Sequence, residues 1–399
     1  MFTKTRSWLI VSLLAAASAF AQDVENNCRP NPCATKCRPT NSFEQGHELC
    51  QNQMMAAYNA PARIEVRGSW DVYATGSYIY WQAREENLDL GLISNALDPF
   101  GLVSTVLPAQ SLSSVVHPHF TFRSGFKVGL GLNLDYDNWD VYSEYTWFHS
   151  NIATGIEPFP TFSPLGGSPS GHVIYPSQGH PDSSLPITYY LSANQSWKLK
   201  MDFLDLSLAR SYYSGTKLTM RPFFGVRAAW IRQKMFNEYN GSTLETVATA
   251  HFKDTVLNKT VSQGLGPRAG FESNWLLGYG FRLTGDASAD ILYTRYNFLF
   301  QQKRVDLSGA GSIFTNAKLK EEHLDYLRAH ADFEMGFGWG SYFDCNNWHI
   351  DLSASYGLQV FWDQNMFRNF VDGFMEGKNI SPNGNLYIHG VTATLKLDF

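Results

Sequence analysis

A chain of 399 residues with a formal net charge of -5 and 15% aromatic side chains is long enough for one large or two ordinary domains. The acidic balance and the lack of a basic tract give no reason to expect nucleic acid as a partner. Beyond residue 22, charged, Gly or Pro residues interrupt every apolar stretch, which excludes a membrane-spanning helix.

Residues 1–21 have the layout of a secretory signal peptide: basic Lys4 and Arg6, an apolar run from Trp8 to Ala17, and small Ala19 and Ala21 around Phe20. Cleavage is expected near Ala21, and with no cysteine at the cut a lipid anchor is not expected. Residues 22–63 are expected to form a periplasmic segment holding Cys28, Cys33, Cys37 and Cys50. Their spacing lacks the CxxC pairs of common zinc sites, so no metal is expected, and disulfides suit an oxidising compartment. Residues 41–58 place Phe43, Cys50, Met54 and Ala57 near one face of a short helix, either plugging a barrel or lying in the periplasm.

From residue 64 onward, strand-like alternation recurs in ten long segments: 64–82, 119–134, 139–150, 196–212, 217–233, 259–273, 276–298, 321–340, 348–362 and 385–399. In the ninth, Trp348, Ile350, Leu352, Ala354, Tyr356, Leu358, Val360 and Trp362 alternate with polar or small residues. Short links near 135–138, 213–216, 274–275 and 341–347 alternate with long ones at 83–118, 151–195, 234–258, 299–320 and 363–384. This asymmetry predicts an all-β fold: an antiparallel outer-membrane β-barrel over 64–399, with short periplasmic turns and long extracellular loops. Trp139, Trp275 and Trp348 follow three of the short links, where indoles form a girdle at the membrane interface. Pro222 and Pro267 predict bulges, as does a change of phase near Phe203 between Trp197, Leu199, Met201 and Leu204, Leu206, Leu208.

The chain resembles the pore-forming outer-membrane proteins grouped as major-outer-membrane-protein-like in chlamydia-related bacteria, together with the related Legionella-type family. The resembling stretches are YIYWQAREENLDLGL at 78–92, GFKVGLGLNLDYDNWDVYSEYTWFHS at 125–150, LTMRPFFGVRAAWIRQ at 218–233, GLGPRAGFESNWLLGYGFRLTGDASADILY at 264–293 and LSASYGLQVFWDQNMF at 352–367. The resemblance implies a bacterial outer-membrane barrel with a porin-like role, no catalytic residues and no cofactor. The ending TLKLDF, with Val391, Leu395, Leu397 and Phe399 on one face, resembles the signal by which the barrel-assembly machinery recognises its clients.

If the apolar faces meet lipid, the polar faces line the interior. That assignment predicts Lys127, Asp202, Arg221, Arg227, Arg268, Glu272, Arg282, Asp286, Arg328, Asp332, Glu334 and Asp351 as pore-lining, with Asp290, Lys198 and Lys200 also inside. About twelve acids face about twelve bases, so weak ion selectivity is expected, with Arg-carboxylate bracing of the wall as the other reading. Ten strands lie near the eight whose interior side chains fill. A diffusion path therefore needs either further strands, for example within 88–107, making about twelve, or a narrow route along Gly129, Gly131, Gly336 and Gly338. None of the 11 histidines stands in a GxSxG or HExxH setting, so no enzyme is expected.

Cys345 falls in the last short link, on the same side of the membrane as the N-terminal cysteines, so one bond to that cluster leaves one cysteine for another chain. The resemblance also suggests a cysteine-linked envelope, with disulfide-linked envelope proteins or further copies of this chain as partners. The sequence therefore predicts a porin-like protein passing small hydrophilic solutes, with a structural or adhesive surface barrel as the competing reading.

Overall fold

The computed structural model describes residues 60–67, 70–94, 113–134, 137–156, 173–177, 190–244, 249–307, 313–367 and 384–399. The expected signal peptide, short helix, Cys28, Cys33, Cys37 and Cys50 lie outside them. In chain order the strands are β1 (Val72–Glu85), β2 (Gly91–Ser94), β3 (Ser113–Val116), β4 (Phe122–Asn133), β5 (Trp139–Ile156), β6 (Val173–Pro176), β7 (Tyr190–Arg210) and β8 (Tyr212–Tyr213). They continue as β9 (Leu218–Leu244), β10 (Thr249–Gly278), β11 (Phe281–Leu307), β12 (Ile313–Glu321), β13 (Leu324–Phe343), β14 (Trp348–Asn365) and β15 (Gly384–Asp398).

Strands β1, β4, β5, β7, β9, β10, β11, β13, β14 and β15 close into one antiparallel ring, with β15 pairing β1. Closure removes the open edges that a sheet of this size would otherwise expose. The short β2, β3, β6, β8 and β12 attach to strand ends without widening the ring, so the 88–107 region supplies no further barrel strand among the described residues. Asp137 and Asn138 both take positive φ (53° and 57°) in the short link between β4 and β5, a conformation that Asp and Asn tolerate. Tyr279 and Gly280 do the same between β10 and β11. The link expected at 274–275 therefore lies about one turn later, and Trp275 ends β10 instead of opening the next strand.

Tracing hydrogen-bonded partners round the ring gives Tyr73, Gly131, Tyr142, Ser207, Gly225, Arg268, Asp290, His330, Phe361, Leu386 and finally Glu85. The path returns to β1 twelve residues from its start, which is the shear of the barrel. With ~3.3 Å per residue and ~4.8 Å between strands, ten strands at that shear tilt by about 40° around a backbone radius of about 10 Å. Inward side chains from opposite walls meet across such a radius.

The bulges expected at Phe203, Pro222 and Pro267 are absent. The β7–β9 and β9–β10 registers run unbroken through all three residues. Pro222 and Pro267 point outward, and the β10–β11 ladder omits Gly266 and Pro267 without changing register, so a missing N–H is absorbed in a long ladder. At Phe203 the strand does not change phase; its surroundings do. Trp197, Leu199, Met201 and Phe203 face inward and are at most 3% exposed, whereas Leu204 and Leu206 face outward at 44% and 48%. Ile79, Trp81, Phe148, Ile152, Ile231, Met235, Leu292, Phe361, Leu386 and Ile388 join them in one packed belt that fills the barrel toward the long-connection end. Nearer the short turns the apolar face is outward, with Leu130 65% and Phe337 67% exposed. That exposed apolar surface is the lipid-facing band.

Candidate functional site

Below the belt the interior is polar and charged. Arg227 is its centre: Nε and Nη2 donate to the two Asp205 carboxylate oxygens at 2.7 Å each, and Nη1 donates to Asp290 Oδ2 at 2.9 Å. Its Nη1 also lies 2.9 Å from His330 Nδ1. Arg268 links Asp205 (3.3 Å) to Asp332 (3.2 Å), and Ser288 donates to Asp332 at 2.8 Å. The period of two places these groups on facing inward positions of β7, β9, β10, β11 and β13, and the 12-residue shear brings them to one level. The cluster is stacked against the belt: Arg227 lies 5.3 Å over Phe203, His330 packs 4.0 Å from Phe361, and Phe361 stacks on Phe203 at 5.6 Å.

A second tier lies toward the short turns. Arg221 bridges Asp140 and Glu272, Arg282 reaches Asp351 at 2.5 Å, and His349 contacts Asp398 at 2.9 Å. Lys127 lies 3.7 Å from Glu144 and 5.3 Å over Trp81. At the belt's far side Arg328 donates to Tyr296 at 3.3 Å. Glu272, Asp286 and Glu334 are successive cross-strand neighbours on β10, β11 and β13, an unfavourable row of like charges.

Eleven of the residues predicted as pore-lining, Lys127, Arg221, Arg227, Arg268, Glu272, Arg282, Asp286, Arg328, Asp332, Glu334 and Asp351, occupy inward positions. Asp202 does not. It sits on the outer face of β7, accepting from Tyr145 Oη at 3.0 Å and lying 3.7 Å from His149, and Lys198 and Lys200 are outward with it. Without a bulge at Phe203, even-numbered β7 residues face out along the whole strand. The inner balance changes accordingly. The described inward acids are Glu85, Asp140, Glu144, Asp205, Asp254, Glu272, Asp286, Asp290, Asp332, Glu334, Asp351 and Asp398, against Lys127, Arg221, Arg227, Arg268, Arg282, Arg328 and Lys396. The near balance expected from sequence is thus an acidic excess.

Nor do the inward glycines leave a route. A Cβ at Gly131 would clash with the Tyr73 ring and one at Gly129 with the Tyr142 hydroxyl; Gly338 is covered by the Arg282 guanidinium and Gly336 by the Ala354 carbonyl and Ser355. The sequence reading misses the belt altogether. Its signal is present in 197–203, where odd positions turn apolar and even ones polar, the reverse of 204–208. Trp139, Trp275 and Trp348 all lie at the short-turn end, with Trp275 57% and Trp348 48% exposed. Cys345 is exposed in the turn between β13 and β14, with no disulfide partner among the described residues.

Among solved structures, the outer membrane protease OmpT of Escherichia coli aligns at a TM-score of 0.32 and 11% identity, covering 84% of this chain and 100% of that one. A FadL homologue of Pseudomonas aeruginosa aligns at 0.25 and 8%, covering 82% and 89%. The transport unit of the Escherichia coli autotransporter AIDA-I aligns at 0.25 and 9%, covering 88% and 97%. No curated protein sequence matches. The family model described as Legionella pneumophila major outer membrane protein precursor matches residues 65–399, which takes in the whole ring of strands. By that match the chain belongs to the Legionella major outer membrane protein family, β-barrels of the bacterial outer membrane.

Proposed function

We propose that the barrel is a narrow, gated passage for small hydrophilic solutes, favouring cations. The observation that carries this reading is the surplus of inward carboxylates over inward Lys and Arg. Arg221 and Arg227 each brace two carboxylates and His349 faces Asp398, yet no described base pairs with Asp286, and a carboxylate left without a partner is costly unless water or a cation reaches it. Asp286 is flanked by Glu272 and Glu334 and keeps partial exposure to the interior, where a cation can reach all three. An acidic interior of this kind selects cations. The belt, with Phe203 stacked on Phe361 and Trp81 set 5.7 Å from Phe148, is the closed gate.

The test is planar-bilayer recording of purified refolded protein under a KCl gradient. Wild type is expected to give brief, small openings with a reversal potential on the cation side, and the double variant Phe203→Ala with Phe361→Ala longer or larger ones of the same selectivity. Silence from both proteins defeats the proposal. It would instead favour a closed structural or adhesive barrel, the reading to which the tight packing of the belt lends weight.

A further inference from the structure

On the outer face, the apolar band ends toward the long connections at a row formed by Trp147, Asp202 and Trp230. Directly above that row, Lys200 is the cross-strand partner of Arg232. One row higher, Lys198, Lys234 and Lys259 stand side by side on β7, β9 and β10. All five point away from the lumen, because the inward positions of these strands are Leu199, Ile231, Gln233 and Asn258.

Like charges placed directly opposite on a sheet repel. Nothing described on the barrel relieves them: none of the five forms an ion pair or hydrogen bond with another described residue. The nearby acids are engaged elsewhere, Asp202 with Tyr145 and His149, and Glu238 with Lys253 at 2.7 Å. The patch also sits where lipid headgroups begin. Long connections mark the extracellular side of such a barrel, and Trp147 and Trp230 mark the interface.

We propose that Lys198, Lys200, Arg232, Lys234 and Lys259 form a binding site for the phosphate-bearing headgroup of an outer-leaflet lipid. Its acyl chains lie along the band beneath, beside Leu204, Leu206 and Val226. Arg232 offers a fork of donors suited to a phosphate, and the lysines surround it with point charges. Basic residues at a membrane surface each add attraction for anionic lipid.

The test uses the full chain refolded in detergent with diphosphoryl lipid A, repurified, and assayed for retained phosphate per protein. Wild type is expected to retain the lipid. The variant carrying K198Q, K200Q, R232Q, K234Q and K259Q is expected to retain at least about tenfold less. The half-variants K198Q/K200Q and R232Q/K234Q should fall between, which keeps the test intact should the full variant fail to fold, as judged by heat-modifiable gel mobility. K253Q, which removes a lysine already paired on the same face, should change nothing. Equal retention by wild type and the half-variants overturns the proposal. So does equal retention of dephosphorylated lipid A, which would mean acyl contacts alone, or release of the lipid by inorganic phosphate, which would mean a free-anion site.

Discussion

Replacing Arg227 by alanine is expected to destabilise the barrel by about 3–5 kcal/mol. Asp205 and Asp290 are almost wholly buried beside it, and its guanidinium supplies three of their hydrogen bonds. Removing it leaves two carboxylates in a low-dielectric interior, facing one another across the cavity it vacates, with only Arg268 remaining near Asp205. Lysine should recover only part of the loss, because a single ammonium cannot reproduce the two-pronged contact with Asp205. The comparison is Arg295→Ala, whose 2.8 Å pair with Asp325 lies on the outer surface with both side chains a third or more exposed. That loss should be small beside the Arg227 loss, because solvent screens the exposed pair. Urea unfolding in lipid micelles, extrapolated to zero denaturant, measures both. Similar values for the two variants would contradict the buried network.

A charge placed in the lipid band should cost nearly as much. On β7, Arg210 pairs with Trp139 at the short-turn rim and Asp202 pairs with Trp147 at the other boundary, which puts Leu206 halfway between. Leu206→Arg is expected to cost about 2–4 kcal/mol at the bilayer midplane. The same change at Ser196, on the same face but above both cationic rows, should cost about 0–1 kcal/mol. Equal costs at the two positions would move the membrane boundary away from where the tryptophans and lysines place it.

How much of this is legible in the sequence depends on what surrounds each strand. Within the bilayer, lipid outside and charge inside produce a clean contrast, so DYDN reads as a turn and the alternation from Trp348 to Trp362 reads as a strand with the correct face outward. Above the bilayer the contrast reverses, because water and headgroups lie outside and the packed belt inside. Strand β7 crosses that boundary at Phe203, and a single-environment reading turns the crossing into a bulge, carrying Lys198, Lys200 and Asp202 to the wrong side. For the same reason β9, β10 and β11 reach to Leu244, Thr249 and Leu307, through stretches that read as loop. Met235, Asn237 and Tyr239 alternate there with Phe236 and Glu238, so neither face is uniformly apolar. Pro222 and Pro267 mislead differently: proline in a ladder usually marks an edge or a bulge, yet here both lie outward in registers that continue unbroken past them.

The face assignment underlies every step of this account, and it is tested most directly on β4 in a lipid bilayer by a nitroxide scan over residues 124–132. Oxygen collides with labels that face lipid, and a water-soluble nickel chelate with labels that face water. Positions 126, 128, 130 and 132, native Phe126, Val128, Leu130 and Leu132, are expected to show high oxygen and low nickel accessibility. Positions 125, 127, 129 and 131 should be shielded from oxygen by the packed interior. The opposite phase, or no alternation at all, would contradict a barrel whose apolar face meets lipid.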